Sequence, residues 1–108
     1  MSTLLAYHSD TKIKTKYLKR VKAHEKADEI EKGYYWEGGK GCAVGCTIEG
    51  NDHTKYETEL GIPKELAYLE DVIFEELPNG EAKQFPRKFL EAIKPGADLS
   101  KIVSQFVI

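Results

Sequence analysis

Residues 40–47 read KGCAVGCT, and the fold turns on how this stretch is understood. Cys42 and Cys46 sit four apart, each directly behind a glycine. The aromatic run Tyr34-Tyr35-Trp36 comes just before them. On a helix, positions i and i+4 share a face, so the two thiols admit chemistry as well as packing. A metal site is one reading. Structural zinc takes four protein ligands and catalytic zinc usually three. The other soft ligands are His8, His24 and His53, which gives Cys42, Cys46 and His53 as the alternative ligand set. A redox pair is a second reading. It normally uses C-x-x-C at a helix N-terminus, whereas the spacing here is C-x-x-x-C. With His53 and Glu37 as proton-handling neighbours, Cys42 and Cys46 form the alternative catalytic set. A phosphate loop fails, because G-x-x-x-x-G-K-[ST] is not present.

Close packing is the preferred reading. Gly41, Cys42, Ala43, Gly45 and Cys46 are all small, and free cysteine behaves as a small buried apolar residue. Small residues four apart let another part of the backbone come close. On this reading no catalytic residue, metal or cofactor is expected.

Working outward, the pattern is helical on both sides. Ser9, Asp10 and Thr11 offer N-caps for a helix over 11–32. Its apolar stripe is Ile13, Tyr17, Val21, His24 and Ala27, and Gly33 is its stop. Residues 34–41 form an aromatic, glycine-rich connection, and 42–48 form a short helical segment. Thr54 to Glu57 has capping-box form, which starts a helix ended by Gly61. Pro63 opens the next helix, with Ile62, Leu66, Leu69, Ile73 and Leu77 as its stripe, ending at Pro78-Asn79-Gly80. Pro86 divides a short turn from a helix over 86–93. Asp98 caps a last helix carrying Leu99, Ile102, Val103 and Phe106. Strand patterning is poor. The fold class expected is therefore all-α, a single compact bundle of about five or six short helices in one domain over residues 1–108.

Length and composition agree with a small globular protein. The chain has 108 residues, 41% hydrophobic and 31% charged, with a net charge of −2. No apolar run approaches the roughly 20 residues of a membrane helix, and no secretory leader is read at the N-terminus. A cytoplasmic location with reduced thiols is expected, and no membrane partner. The charge is split: residues 1–40 carry +3 and residues 41–108 carry −5. Lys12, Lys16, Lys19, Arg20 and Lys26 form a basic face on the first helix, opposed by an acidic helix holding Glu65, Glu70, Asp71, Glu75 and Glu76.

Three stretches, YYWEGGKGCAVGCTIEG, YETELGIPKELAYLED and FLEAIKPGADLS, resemble the N-terminal part of a group of uncharacterised bacterial or phage proteins. That resemblance implies no activity. It implies that relatives continue past the position of Ile108.

The functional expectation is a non-catalytic adaptor or inhibitor that binds a protein partner. Adjacent aromatics cannot all point into one core, and Tyr and Trp are favoured at interface hot spots. Tyr34, Tyr35, Trp36 and Lys40 are therefore the candidate binding residues. The alternative is a thiol- or metal-dependent enzyme. The third reading is nucleic-acid binding by the basic helix, driven by counterion release. The apolar end at Phe106, Val107 and Ile108 makes a homodimer a further expectation.

Overall fold

The computed structural model describes residues 4–33 and 35–99. Tyr34 and the C-terminal residues Ile102, Val103, Phe106, Val107 and Ile108 lie outside the described residues, and with them the proposed last helix and the dimer contact. The chain is mostly helical, with α1 (Thr11–Lys26), α2 (Ala43–Ile48), α3 (Lys55–Leu60), α4 (Lys64–Glu76) and α5 (Asn79–Ala92). It is not purely all-α. Strands β1 (Trp36–Glu37) and β2 (Lys40–Gly41) pair antiparallel, Trp36 opposite Gly41 and Glu37 opposite Lys40. Gly38 and Gly39 make the turn between them, with φ of 61° and 82°. Two successive positive φ values are what a two-residue hairpin loop of this hand requires.

The short helix α2 sits at the centre. Residues 41–48 are all buried, and α1, α4 and α5 each pack against α2. Its small residues Ala43, Gly45 and Cys46 let these neighbours come close. Thr47 is the polar exception, and its hydroxyl donates to the Ala43 carbonyl at 2.8 Å. Around this centre stand Tyr7, Ile30, Tyr56, Leu60, Ile62, Phe74 and Leu90, all completely enclosed. The Cα radius of gyration is 13.0 Å, the ~13 Å expected of a compact chain this long.

Several boundaries differ from the sequence expectation for physical reasons. Helix α1 starts as expected, with the Asp10 carboxylate accepting from Lys12 N at 2.8 Å. It stops at Lys26 rather than Lys32, because Asp28 takes a left-handed φ of 57°, a conformation that Asp tolerates better than most residues. The freed chain runs extended, so that Ile30 bridges to Gly41 in parallel. Thr54 makes no side-chain cap; Asp52 accepts from its N–H and hydroxyl instead. The turn read at Pro78-Asn79-Gly80 belongs at Leu77-Pro78, which are extended, and Asn79 and Gly80 already lie in α5. Pro86 does not divide that helix. It sits buried inside it, where its missing N–H removes one helical hydrogen bond. Asp98 forms an antiparallel bridge with Leu5, and the helix it was expected to cap lies outside the described residues.

The buried face of α4 is also rotated from the expected stripe. Leu66, Ala67, Glu70 and Phe74 face inward, while Ile73 is exposed. Glu70 is wholly buried. Its Oε1 accepts from the Tyr56 hydroxyl at 2.6 Å, and its Oε2 accepts no hydrogen bond from any described residue. Burial pushes the Glu70 carboxyl well above the usual carboxylate range, and the Asp71 charge pushes it the same way. The Tyr56 hydroxyl acts in the opposite sense; burial outweighs it, because charge is costly to place away from water.

Candidate functional site

The hairpin turn carries the Tyr35 carbonyl onto the two glycines. A Cβ on Gly45 would stand 1.5 Å from that oxygen, and one on Gly41 would stand 2.2 Å from it. No side chain fits at either place. The same oxygen accepts from Cys42 N at 3.2 Å, and the Cys42 thiol lies 3.6 Å from it. Packing thus fixes where Tyr35 stands, and its ring is left 59% exposed.

Cys42 is the N-cap residue of α2, and its Sγ accepts from Gly45 N at 3.4 Å. Burial raises the Cys42 thiol far above its ordinary range, with the Asp71 charge adding to the effect. Cys46 faces elsewhere. It is fully enclosed, with its Sγ 3.3 Å from the Gly41 carbonyl and 3.5 Å from that of Glu29. Burial pushes its thiol up to about 12. A nucleophilic or ligating cysteine needs the thiolate, and both environments disfavour it.

His53 is brought alongside Cys42 by the turn before α3. Its Nε2 lies 2.7 Å from Asp71 Oδ2. The other carboxylate oxygen of Asp71 accepts from Val44 N at 3.3 Å. The imidazole stacks on Tyr68, with ring centroids 4.3 Å apart and 6° between planes, and meets the Tyr35 ring edge-on at 5.5 Å. Tyr68, Val72 and Glu75 lie on α4 at i, i+4 and i+7, which places them on one face. The result is a groove of about 470 Å³ between the loop of Tyr35 and the outer face of α4. Tyr35, Tyr68 and Val72 line it, the last two 52% and 60% exposed. Its charged lining is Asp71, Glu75 and Glu76, with no lysine or arginine among the described residues.

Of the residues singled out from sequence, the groove gathers Tyr35, Cys42 and His53. The others lie apart. Trp36 turns the other way and meets His24 edge-on, with centroids 5.4 Å apart at 77°. Lys40 is exposed on the hairpin and pairs with Glu31 at 3.7 Å. Glu37 is exposed and lines a separate hollow with Trp36 and Asn51. Cys46 is not on the groove, so Cys42, Cys46 and His53 do not converge. Among the described residues no group of three His, Cys, Asp or Glu side chains stands where it can hold a metal ion. The sequence reading missed Tyr68, Val72 and the role of Asp71. The available signal was a second apolar stripe on α4, one more than burial against the core requires.

Along α1, Lys12, Lys16, Lys19 and Lys26 are exposed, whereas Arg20 is half-buried. Arg20 donates to the Thr47 carbonyl at 3.1 Å and pairs with Glu49 at 3.5 Å, so it anchors α1 to α2. No described helix is long and apolar enough to cross a membrane. Compared with protein-family models, curated proteins and solved structures, the chain matches none.

Proposed function

We propose that this chain is a non-catalytic binding module whose groove takes a basic, apolar-anchored segment of a partner protein. One observation carries the reading: Tyr35, Tyr68 and Val72, three of the four large apolar side chains exposed among the described residues, line a single groove whose charged lining is all carboxylate. Rigid aromatic rings with few rotamers give contact area at small entropic cost. Stacking on His53 already fixes the Tyr68 ring. Carboxylates at the rim select for cations and steer their approach. A place in the cytosol belongs to the same proposal.

The alternative, a thiol enzyme working through Cys42 with His53, has the two residues on one groove in its favour. Two observations weigh against it. The Cys42 thiol is raised by burial, and the His53 Nε2 is engaged by Asp71. Iodoacetamide at neutral pH separates the readings. Slow labelling of the folded protein accords with a binding module, and rapid stoichiometric labelling of Cys42 would favour the enzyme.

The direct test is selection from a random peptide display library on the purified chain. The expected winners carry Arg or Lys beside a large apolar residue. They lose at least about tenfold in affinity to Tyr68→Ala, as hot-spot truncations do. Acidic winners, or binding indifferent to Tyr68→Ala and Val72→Asp, would overturn the proposal.

A further inference from the structure

We infer that the exposed lysine row of α1, Lys12, Lys16, Lys19, Lys22 and Lys26, is a binding site for the phosphodiester backbone of a nucleic acid. It is separate from the groove and does not depend on it.

Most of the charge of this helix is uncommitted, although the Lys16 ammonium stands over the Tyr17 ring, 5.2 Å from its centroid. Lys12, Lys16, Lys19, Lys22 and Lys26 are exposed, and none forms an ion pair among the described residues. Glu25 is the one acid in α1, and Arg87 of α5 holds it at 2.8 Å. The remaining cations of α1 have structural work. Lys14 donates to the carbonyls of Glu91 at 3.0 Å and Ile93 at 2.7 Å, and Arg20 is tied to α2. The fold therefore neutralises Glu25 and leaves the lysines facing solvent.

Their placement suits a polyanion. From Lys12 to Lys26 the helix advances about 21 Å at 1.5 Å per residue. Double-stranded DNA presents one phosphate per roughly 1.7 Å of axis, so four or five lysines can each meet a phosphate without the helix deforming. Beside them lies an open hollow of about 610 Å³ whose lining includes Thr11, Lys14, Thr15, Leu18, Lys19 and Lys22. The hydroxyl of Thr15 is already given to the Thr11 carbonyl; that of Thr11 makes no hydrogen bond among the described residues. A base-stacking platform needs exposed aromatic rings, and this face offers none. The contact is thus to backbone charge, without sequence preference.

An anionic membrane offers phosphates too, but the chemistry of the face argues against it. A helix that lies in a bilayer interface presents large apolar residues to the acyl boundary. Among the described residues the large hydrophobics left exposed are Tyr35, Tyr68, Val72 and Ile73, and none is on α1. Leu18 is half-buried.

The experiment is fluorescence anisotropy with a labelled duplex of ~20 bp, the matching single strand and an RNA of equal length. Binding should be micromolar at about 50 mM salt and weaken roughly 150- to 500-fold by about 200 mM, the counterion release of four or five contacts. Lys19→Glu with Lys22→Glu should cost at least about 30-fold, with circular dichroism unchanged because both side chains are exposed and form no ion pair among the described residues. Lys64→Glu with Lys55→Glu, on α4 and α3, makes the same change in net charge and should cost less than about threefold. Tyr68→Ala should leave this binding intact, which separates it from the groove. No binding at about 50 mM salt would overturn the inference. So would equal losses from the two lysine pairs, since bulk charge would then explain the affinity. Binding to vesicles of anionic lipid in preference to all three nucleic acids would assign the face to a membrane instead.

Discussion

The segment 41–48 and helix α1 are opposite solutions to the use of a short stretch of chain. All eight residues of the first are buried, whereas α1 buries only Tyr17 and Val21 of its sixteen. The first is governed by shape: a carbonyl oxygen occupies the space where two glycines have no side chain. The second is governed by charge, with its lysines held out in water and a narrow stripe of Ile13, Tyr17, Leu18 and Val21 touching the core. Shape is unforgiving over tenths of an ångström, because interiors are packed like organic crystals. Surface charge is forgiving of any single change and acts only in sum. Substitutions in the first segment should therefore move stability and leave the phosphate contacts of α1 alone, and substitutions in α1 should do the reverse.

The hardest break of that contrast is Gly45→Leu. Ordinary overpacking costs about 1–3 kcal/mol. Here even the first added carbon would stand 1.5 Å from a backbone oxygen, and the neighbour is not the flexible end of a side chain. We expect a loss above about 3 kcal/mol, read as a protein that fails to fold or melts at much lower urea. Gly45→Ala should already be severe. A Gly45→Leu protein with wild-type stability would show that Tyr35 can move aside, and the groove would lose its fixed wall.

Next in size is the buried acid behind the groove. The folded Glu70 carboxyl titrates well above its ordinary 4.5. A raised acid contributes its full stability below the unfolded value and loses it as pH climbs toward the folded value. Stability should thus fall from about pH 4.5 upward, by as much as about 1.4 kcal/mol per pH unit from this one site. Glu70→Gln removes the proton from the balance. Its melting profile should be flatter over the same range, so that the variant gains on the natural chain as pH rises. Parallel profiles for the two proteins would mean that Glu70 is not the group responsible.

These two sites also mark what the sequence discloses. The close approach at Gly41 and Gly45 is legible, because small residues behind aromatic ones have few other uses. The hairpin is not, since strands of two residues cannot show alternation, and only the Gly38-Gly39 pair hints at it. The start of α1 is legible from Asp10, but its end is not, because an aspartate at a left-handed φ leaves no pattern. The inward face of α4 is hidden by Glu70 itself: a glutamate in the middle of a core stripe reads as the wrong face, and the apparent stripe shifts to Ile73. Pro86 reads as a break because its cost is local and visible, while the burial that outweighs it is not. The candidate site is spread over residue 35, residue 53 and residues 68–76. Cys42 and His53 carry recognisable chemistry, but only the fold brings Tyr68 and Val72 beside them.

Within segment 41–48 the two cysteines sharpen the contrast at smaller scale. Cys46 is fully enclosed, so Cys46→Ala should cost about 1 kcal/mol for one lost buried atom and a small cavity. Cys42 borders the groove and caps α2. Cys42→Ser should stay within about 0.5 kcal/mol of the natural chain, because serine is among the best N-cap residues. A thermal melt of each settles it. Two equal, large losses would mean that the thiols act together, against their separate partners in the structure.

The smallest expected effect is the most discriminating for α1. Lys22 is exposed and has no ion-pair partner among the described residues. Lys22→Gln should leave unfolding within about 0.5 kcal/mol, as surface changes away from special features do. Helix propensity does not oppose this, since glutamine and lysine are nearly equal. If the lysine row meets phosphates, the same variant removes one contact from the sum. The slope of log affinity against log salt should then become shallower by about 0.9. Equilibrium melts and a salt titration on one protein preparation read both quantities. An unchanged slope would take Lys22 out of the contact. A loss of stability above about 1 kcal/mol would show that α1 depends on its lysines for folding, and the division between a shaped centre and a charged face would not hold.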